Sequence, residues 1–252
     1  MSGIYSPSRK LVEFAVRLKN APGAMAKVSS ELARRGVNIL SGFHTAYPGE
    51  ELATWGFFVD FTSVNTSPEK VAEEIGKLDV VSEVNFAEAK FDGLIVNDLH
   101  FPILVMGERS ITLRVETVGD MFGRLYEVFG SGAGVILYEM GLKAGENKAE
   151  SVCGKYGVGD LKALKIVLAE RIAKGWGIPE LAEFNKEEPS ITIRVQDLFE
   201  CLPFKGKLRE TRSNFFRGYL TGLLSVLFDK KVTIVEVECI AKGDQYCVFT
   251  TK

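Results

Sequence analysis

The sequence predicts an α/β protein of the α+β kind, organised as two domains. Over residues 10–90, the apolar pattern switches between alternation and helical spacing in the order strand, helix, strand, strand, helix, strand. That order specifies a split βαβ sandwich with the ferredoxin-like βαββαβ path: a four-stranded antiparallel sheet with two helices on one face. Beyond residue 110 the helical stretches lengthen, and the strand-like runs at 190–195 and 232–249 are left to form an antiparallel sheet packed by them. Residues 91–110 stand between as a linker or packing arm, with a second domain over 103–252.

Composition narrows the class. Among 252 residues, 46% hydrophobic and 25% charged content is ordinary for a globular chain, and the formal net charge of -2 gives no general pull toward nucleic acid or an anionic membrane. The opening MSGIYSPSRK lacks the apolar core of a signal peptide. No run approaches the ~20 apolar residues of a membrane span. A cytoplasmic protein is expected, with its four cysteines reduced rather than forming a disulfide scaffold.

In the first domain, Val12–Leu18 alternates as a strand and Asn20-Ala21-Pro22-Gly23 stops it. Met25, Val28, Leu32 and Ala33 give a helix over 24–35 its apolar stripe, with Gly36 as C-cap. Val37–Phe43 and Ala53–Phe61 are strands joined through a turn at 48–51. Ser67-Pro68-Glu69 starts a helix that buries Val71, Ile75 and Leu78, and Val80–Ala87 closes the unit. One sheet face is left open, so a second copy or the rest of the chain is expected to cover it. His44, a lone histidine without a partner pattern, reads as a surface or core residue.

In the second domain, Ile111–Val115 reads as a short strand and 118–129 as a helix burying Met121, Phe122, Leu125 and Phe129. Gly130-Ser131-Gly132-Ala133-Gly134 lacks the GKS or GKT ending of a phosphate loop and reads as a tight inter-helix turn before a short helix over 135–142. Leu161, Leu164, Val167, Leu168 and Ile172 line one side of a helix over 161–174 that Trp176-Gly177-Ile178-Pro179 breaks. Residues 184–189 read as a polar turn. Ser213 is a candidate cap for a very apolar helix over 214–228, in which Gly218 and Gly222 share a face and admit another backbone.

The last stretch, TIVEVECIAKGDQYCVF over 233–249, carries the chemistry: a hairpin would bring Glu236, Cys239 and Cys247 together. Thiolates and a carboxylate suit zinc, while strand alternation and the apolar habit of cysteine equally suit a plain hairpin core.

Two resemblances sharpen the picture. Leu18-Lys19-Asn20-Ala21-Pro22-Gly23 followed by Gly36-Val37-Asn38-Ile39 resembles the ACT family of small regulatory ligand-binding domains. In amino-acid-binding members the corresponding residues meet at a dimer interface, which makes Asn20, Gly23 and Asn38 a candidate amino-acid site; Leu18 stands where one branch has a carboxylate-binding histidine. Residues 103–251 look like a 4-vinyl-reductase-type small-molecule-binding domain, through Gly132–Gly141, Gly218-Tyr219-Leu220-Thr221-Gly222 and Val237–Cys247. In aromatic-responsive sensors of that kind, residues at the positions of Glu236, Cys239 and Cys247 bind zinc together with a further cysteine, where this chain has Ser213. Cys201 is the candidate replacement, giving a closed structural zinc site of Cys201, Glu236, Cys239 and Cys247; Glu238 is the competing carboxylate and Cys153 lies outside the pattern.

The resemblance also implies a pocket above the sheet, with Phe122, Tyr126, Phe129, Tyr138, Trp176, Phe215 and Tyr219 as candidate walls. No acid–base pair, nucleophile set or organic-cofactor fingerprint accompanies them. The expectation is a non-catalytic, homodimeric sensor that binds a small apolar or aromatic molecule, with an amino acid as a second candidate ligand and a downstream protein as its output. Two other functions stay open: an enzyme or accessory protein of tetrapyrrole or hydrocarbon metabolism, and an interaction module with a filled interior.

Overall fold

The computed structural model describes residues 3–47, 49–185 and 190–252. Pro48, in the turn expected at 48–51, and residues 186–189, in the turn expected at 184–189, lie outside the described residues. The chain divides into two compact units, Met1–Ile103 and Leu104–Lys252.

The first unit runs β1 (Gly3–Tyr5), β2 (Leu11–Lys19), α1 (Ala24–Arg34), β3 (Asn38–Thr45), β4 (Leu52–Asp60), α2 (Pro68–Gly76), β5 (Val81–Glu88) and β6 (Leu94–Val96). Its main sheet has the order β3-β4-β2-β5, every pair antiparallel, which is the expected split βαβ topology. Gly23, at φ 85°, turns the chain from β2 into α1 in a conformation that glycine adopts freely. Ser67 accepts a hydrogen bond from the Lys70 amide and Pro68 opens α2. Val12, Phe14, Val16 and Leu18 alternate onto the helical face of the sheet, where they bury with Val28, Leu32, Val71 and Ile75.

The opposite face is covered in part by a stretch expected to be linker. β6 pairs with β1, and Ile95 packs with Leu11 and Phe58. Buried Glu13 accepts hydrogen bonds from the amides of Asp98 (2.9 Å) and Leu99 (3.2 Å), and its other oxygen lies 3.2 Å from His100 Nδ1. The His100 ring meets Phe43 edge-on above Gly56, where a Cβ would come within 2.5 Å of it. The small residue therefore makes room for the arm.

The second unit begins with the hairpin β7 (Leu104–Val105) and β8 (Glu108–Arg109), followed by α3 (Val115–Phe129), α4 (Gly132–Tyr156), α5 (Asp160–Ala173), β9 (Ile178–Asn185), β10 (Ser190–Gln196), α6 (Asn214–Leu227), β11 (Ile234–Glu238) and β12 (Cys247–Thr251). The sheet order is β11-β12-β10-β9, all antiparallel. Leu164 and Val167 of α5, Ile193 and Val195 of β10, Phe249 of β12 and much of α6 form its core.

Several expectations are corrected. Residues 111–114 form no strand, and α3 starts at Val115. The short helix expected at 135–142 is the first part of the 25-residue α4. Its glycines do not end it; they let α6 approach. A Cβ on Gly141 or Gly145 would lie 2.0 or 2.1 Å from the carbonyl oxygens of Phe215 and Tyr219, and one on Gly218 or Gly222 would lie 2.1 Å from those of Tyr138 and Leu142. Strand β9 occupies the stretch that sequence reads as a break and a polar turn. On α5, Ile172 is exposed while Glu170 and Arg171 are buried.

Candidate functional site

Two sites stand on the second unit: a cluster of metal-ligating side chains beneath the start of α6, and an aromatic groove beside it. The cluster is built from three separate stretches. Cys201 follows β10 and precedes a 3-10 turn at Leu202–Phe204; Glu236 sits on β11; Cys239 and Cys247 flank the connection from β11 to β12. In that connection Asp244 accepts from the Cys239 amide at 2.8 Å, and the Ile240 amide points at Cys247 Sγ, 3.4 Å away. The ligand atoms of Cys201, Glu236, Cys239 and Cys247 all lie within 4.8 Å of one another. Cys201 is thus brought to the other three, whereas Glu238 is exposed and Cys153 is outside the group.

Ser213 stands at the centre rather than capping α6. Its hydroxyl donates to Glu236 at 2.6 Å and lies 2.8 Å from Cys201 Sγ, and its amide donates to the other Glu236 oxygen at 3.1 Å. The cap is Glu200, whose buried carboxyl accepts from the amides of Phe215 and Phe216, both at 2.8 Å. Burial pushes the carboxyls of Glu200 and Glu236 up to about 8, the latter helped by charge on Cys239. Hydrogen bonds from Cys201 and Cys247 hold the Cys239 thiol well below its ordinary range, making it the thiolate of the group. Cys201 is raised by its bond to Cys239; Cys247 is drawn down by Cys201 but raised on balance by Cys239 and burial.

Three sulfurs and a carboxylate oxygen match the donor set of a closed structural zinc site, in which bond lengths of ~2.0–2.3 Å place neighbouring ligand atoms roughly 3.5–4 Å apart. The present spacing, with Cys201 and Cys239 sulfurs 3.4 Å apart, is close to that requirement. The residues therefore fit such an ion, and no position would be left for a reacting molecule.

The groove has a volume of about 650 Å³. Val118, Met121 and Phe122 of α3 form one side, the turn from Ala173 to Trp176 another, with Phe199, Phe215 and residues 109–113 completing it. Trp176 is held by backbone bonds from its own amide to Arg171 and from the Phe199 amide to its carbonyl. Its ring lies 5.2 Å from Phe199, 5.7 Å from Phe215 and 5.2 Å from Tyr219.

The seven expected wall residues are therefore divided. Phe122, Trp176 and Phe215 line the groove. Tyr219 is buried behind Trp176 and does not line it. Tyr126 and Tyr138 border a separate, more polar cleft of about 430 Å³, where Asn214 donates to the Tyr126 hydroxyl at 2.7 Å and the guanidinium groups of Arg212 and Arg217 lie over the two rings. Phe129 is 55% exposed at the end of α3, because the chain turns there and nothing in its unit packs over it. Phe199, Arg109 and Lys174 are groove residues that sequence reasoning missed; only the proximity of Phe199 to Cys201 pointed to one of them.

In the first unit, Asn20 donates to the Glu50 carbonyl at 3.2 Å. The strand register places Asn38 opposite Asp60, at the Leu11 end of β2, while Asn20 follows Lys19 at the other end. At ~3.3 Å per strand residue the two are separated by roughly 25 Å, so one copy does not bring Asn20, Gly23 and Asn38 together.

Residues 193–252 match the 4-vinyl-reductase domain family. An uncharacterized protein of Methanocaldococcus jannaschii is 33% identical over 85 residues, covering 29% of this chain and 51% of its own length, so the chain spans about half of that relative. The phenol-responsive sensory domain of the transcription activator PoxR, solved with phenol, is 20% identical with a TM-score of 0.52 over 58% of this chain and 78% of that one, a likeness of fold. A vinyl-4-reductase family protein from Methanocaldococcus jannaschii is also 20% identical, with a TM-score of 0.41 over 57% of this chain and 83% of its own. Among the described residues, no helix is long and apolar enough to cross a membrane.

Proposed function

We propose that the chain is a ligand-sensing protein whose second unit binds a small apolar or aromatic molecule in the groove beside Trp176. The observation that carries this reading is the aromatic wall of Phe122, Trp176, Phe199 and Phe215 around a space of about 650 Å³, large enough for a small organic ligand. The family match over residues 193–252 and the likeness of fold to a phenol-responsive domain support the same class of role.

The cluster of Cys201, Glu236, Cys239 and Cys247 is proposed as a structural zinc site. Bound there, zinc would supply the positive charge that keeps thiols and a carboxyl ionised in a buried place. Its residues tie the segment after β10 to the β11–β12 connection, while Glu200, next to Cys201, holds the start of α6. Phe199 and Phe215 border those same segments, so the clasp would set the rear wall of the groove.

For the first unit the reading is an ACT-like regulatory domain. Because Asn20 and Asn38 stand at opposite sheet ends, an amino-acid site there would require residues from two copies, in keeping with a homodimer. The test is emission from Trp176 in a Trp55→Phe variant, which leaves a single tryptophan, during titration with phenol and larger aromatics. Saturable change at Trp176 supports ligand sensing; a flat response across the series, with the variant folded, removes it.

A further inference from the structure

Charges that their own members do not balance lie against the groove. Glu170 and Arg171, adjacent on α5, are both buried and meet at 2.9 Å. Lys148 of α4 reaches Glu170 at 2.7 Å and Glu108 of β8 at 3.3 Å, and Lys174 reaches Glu108 at 3.1 Å. Among the described residues, two carboxylates thus face three cations, with Lys155 a fourth at the rim, 3.9 Å from Glu108. Surplus charge away from water is costly unless a counter-charge meets it.

Two buried donors in the same place have no hydrogen-bond partner among the described residues: Arg171 Nε and the Tyr219 hydroxyl. Burial raises Tyr219 above its ordinary range, so it keeps its proton to donate. Both side chains pack on Trp176, the guanidinium 4.3 Å from its ring and the Tyr219 ring 5.2 Å from it. Of the described residues that line the groove, the charged ones are Arg109 and Lys174, both cationic, and none is a carboxylate. Lys174 and Trp176 belong to the groove and to the charge cluster alike.

We propose that the groove takes an acidic apolar molecule, an aryl or alkyl carboxylate, with its body against Phe122, Trp176 and Phe215 and its anionic head at Lys174 and Arg109. The head supplies the counter-charge that the cluster lacks and brings acceptor oxygens to the side of Trp176 where Arg171 Nε and Tyr219 have none. This rests on the groove being the ligand site, and the two claims separate experimentally.

The experiment is calorimetry of the full chain with two probes that share one body, 4-phenylbutyrate and 4-phenylbutan-1-ol, near neutral pH. A charge-assisted contact in place of a neutral one gives the carboxylate about tenfold tighter binding or more. The Lys174→Gln, Arg109→Gln double variant erases that preference and still binds the alcohol, while Lys174→Arg keeps the preference. Equal binding of the probes, tighter binding of the alcohol, or a preference that survives the double variant overturns the acidic ligand and leaves the groove as a site. Silence from both probes, with the fold intact by circular dichroism, overturns the groove itself and this inference with it.

Discussion

A Cβ placed on Gly145 of α4 would sit 2.1 Å from the carbonyl oxygen of Tyr219 on α6, and a Cβ on Gly218 would sit 2.1 Å from that of Tyr138 on α4. The two helices are in backbone contact, and side-chain rearrangement cannot relieve a clash with a carbonyl. Gly145→Ala and Gly218→Ala are each expected to cost about 1–3 kcal/mol, the range for forced repacking. Gly154, also on α4, has nothing within 4 Å of an added Cβ. Gly154→Ala is expected to stabilise by roughly 0.5–1 kcal/mol through helix propensity. Thermal melts of the three variants check the contrast; equal shifts for Gly145 and Gly154 would show that the close approach is not what the glycines serve.

The arm over the first sheet depends on one buried acid. Glu13→Ala strands the amides of Asp98 and Leu99, each worth ~1–3 kcal/mol when unsatisfied and kept from water. Hydrogen exchange is expected to accelerate at those two amides, while strands β2 and β4 keep their protection. Unchanged exchange at 98 and 99 would mean that Glu13 does not hold the arm.

Most of the first unit is legible in the sequence because its signals are local. Pro22-Gly23 and Ser67-Pro68 mark turns and caps by themselves, and strict alternation on β2 assigns its faces. Linkage over distance is not legible. That Leu94–His100 folds onto the sheet follows from Glu13, 85 residues from Asp98, and nothing near either residue announces it. Gly141 and Gly145 mislead in sequence because a glycine that admits a neighbouring helix looks the same as one that ends its own. Strand β9 is hidden by Pro179 and two glutamates, and Ser213 reads as a cap because a cap is the common task of a serine before a helix. The four metal-ligating residues are legible through residue type and resemblance, whereas the groove depends on which side of Trp176 each aromatic takes.

The metal clasp predicts a stoichiometry and a selectivity. Protein purified without added chelator is expected to carry one zinc ion per chain by native mass spectrometry, and Cys201→Ser to weaken binding at least about tenfold. Cys153→Ser, outside the cluster, is expected to leave it unchanged. Retention of full zinc affinity in Cys201→Ser would remove Cys201 from the site.

In metal-free protein the raised carboxyls give stability a defined pH slope. Glu200 and Glu236 titrate near 8 in the folded chain, against about 4.3 unfolded, so the fold holds protons that the unfolded chain has released. Their contribution is complete below the unfolded value and is lost as pH rises toward the folded one. Stability should therefore fall between roughly pH 4.3 and 8, by about 1.4 kcal/mol per pH unit for each group. Glu200→Gln is expected to remove one group's share of that slope. Denaturant midpoints across the window measure it, and an identical slope in the variant would mean that Glu200 is already ionised.

The central claim is that a small apolar molecule occupies the space walled by Phe122, Trp176 and Phe215. It is tested most directly by Trp176 emission in the Trp55→Phe background, titrated with 4-phenylbutyrate and repeated with Val118→Phe, which fills the groove and removes no polar group. A saturable change that disappears in the filled variant is the predicted result. No change in the open protein, or an undiminished change in the filled one, would contradict the claim.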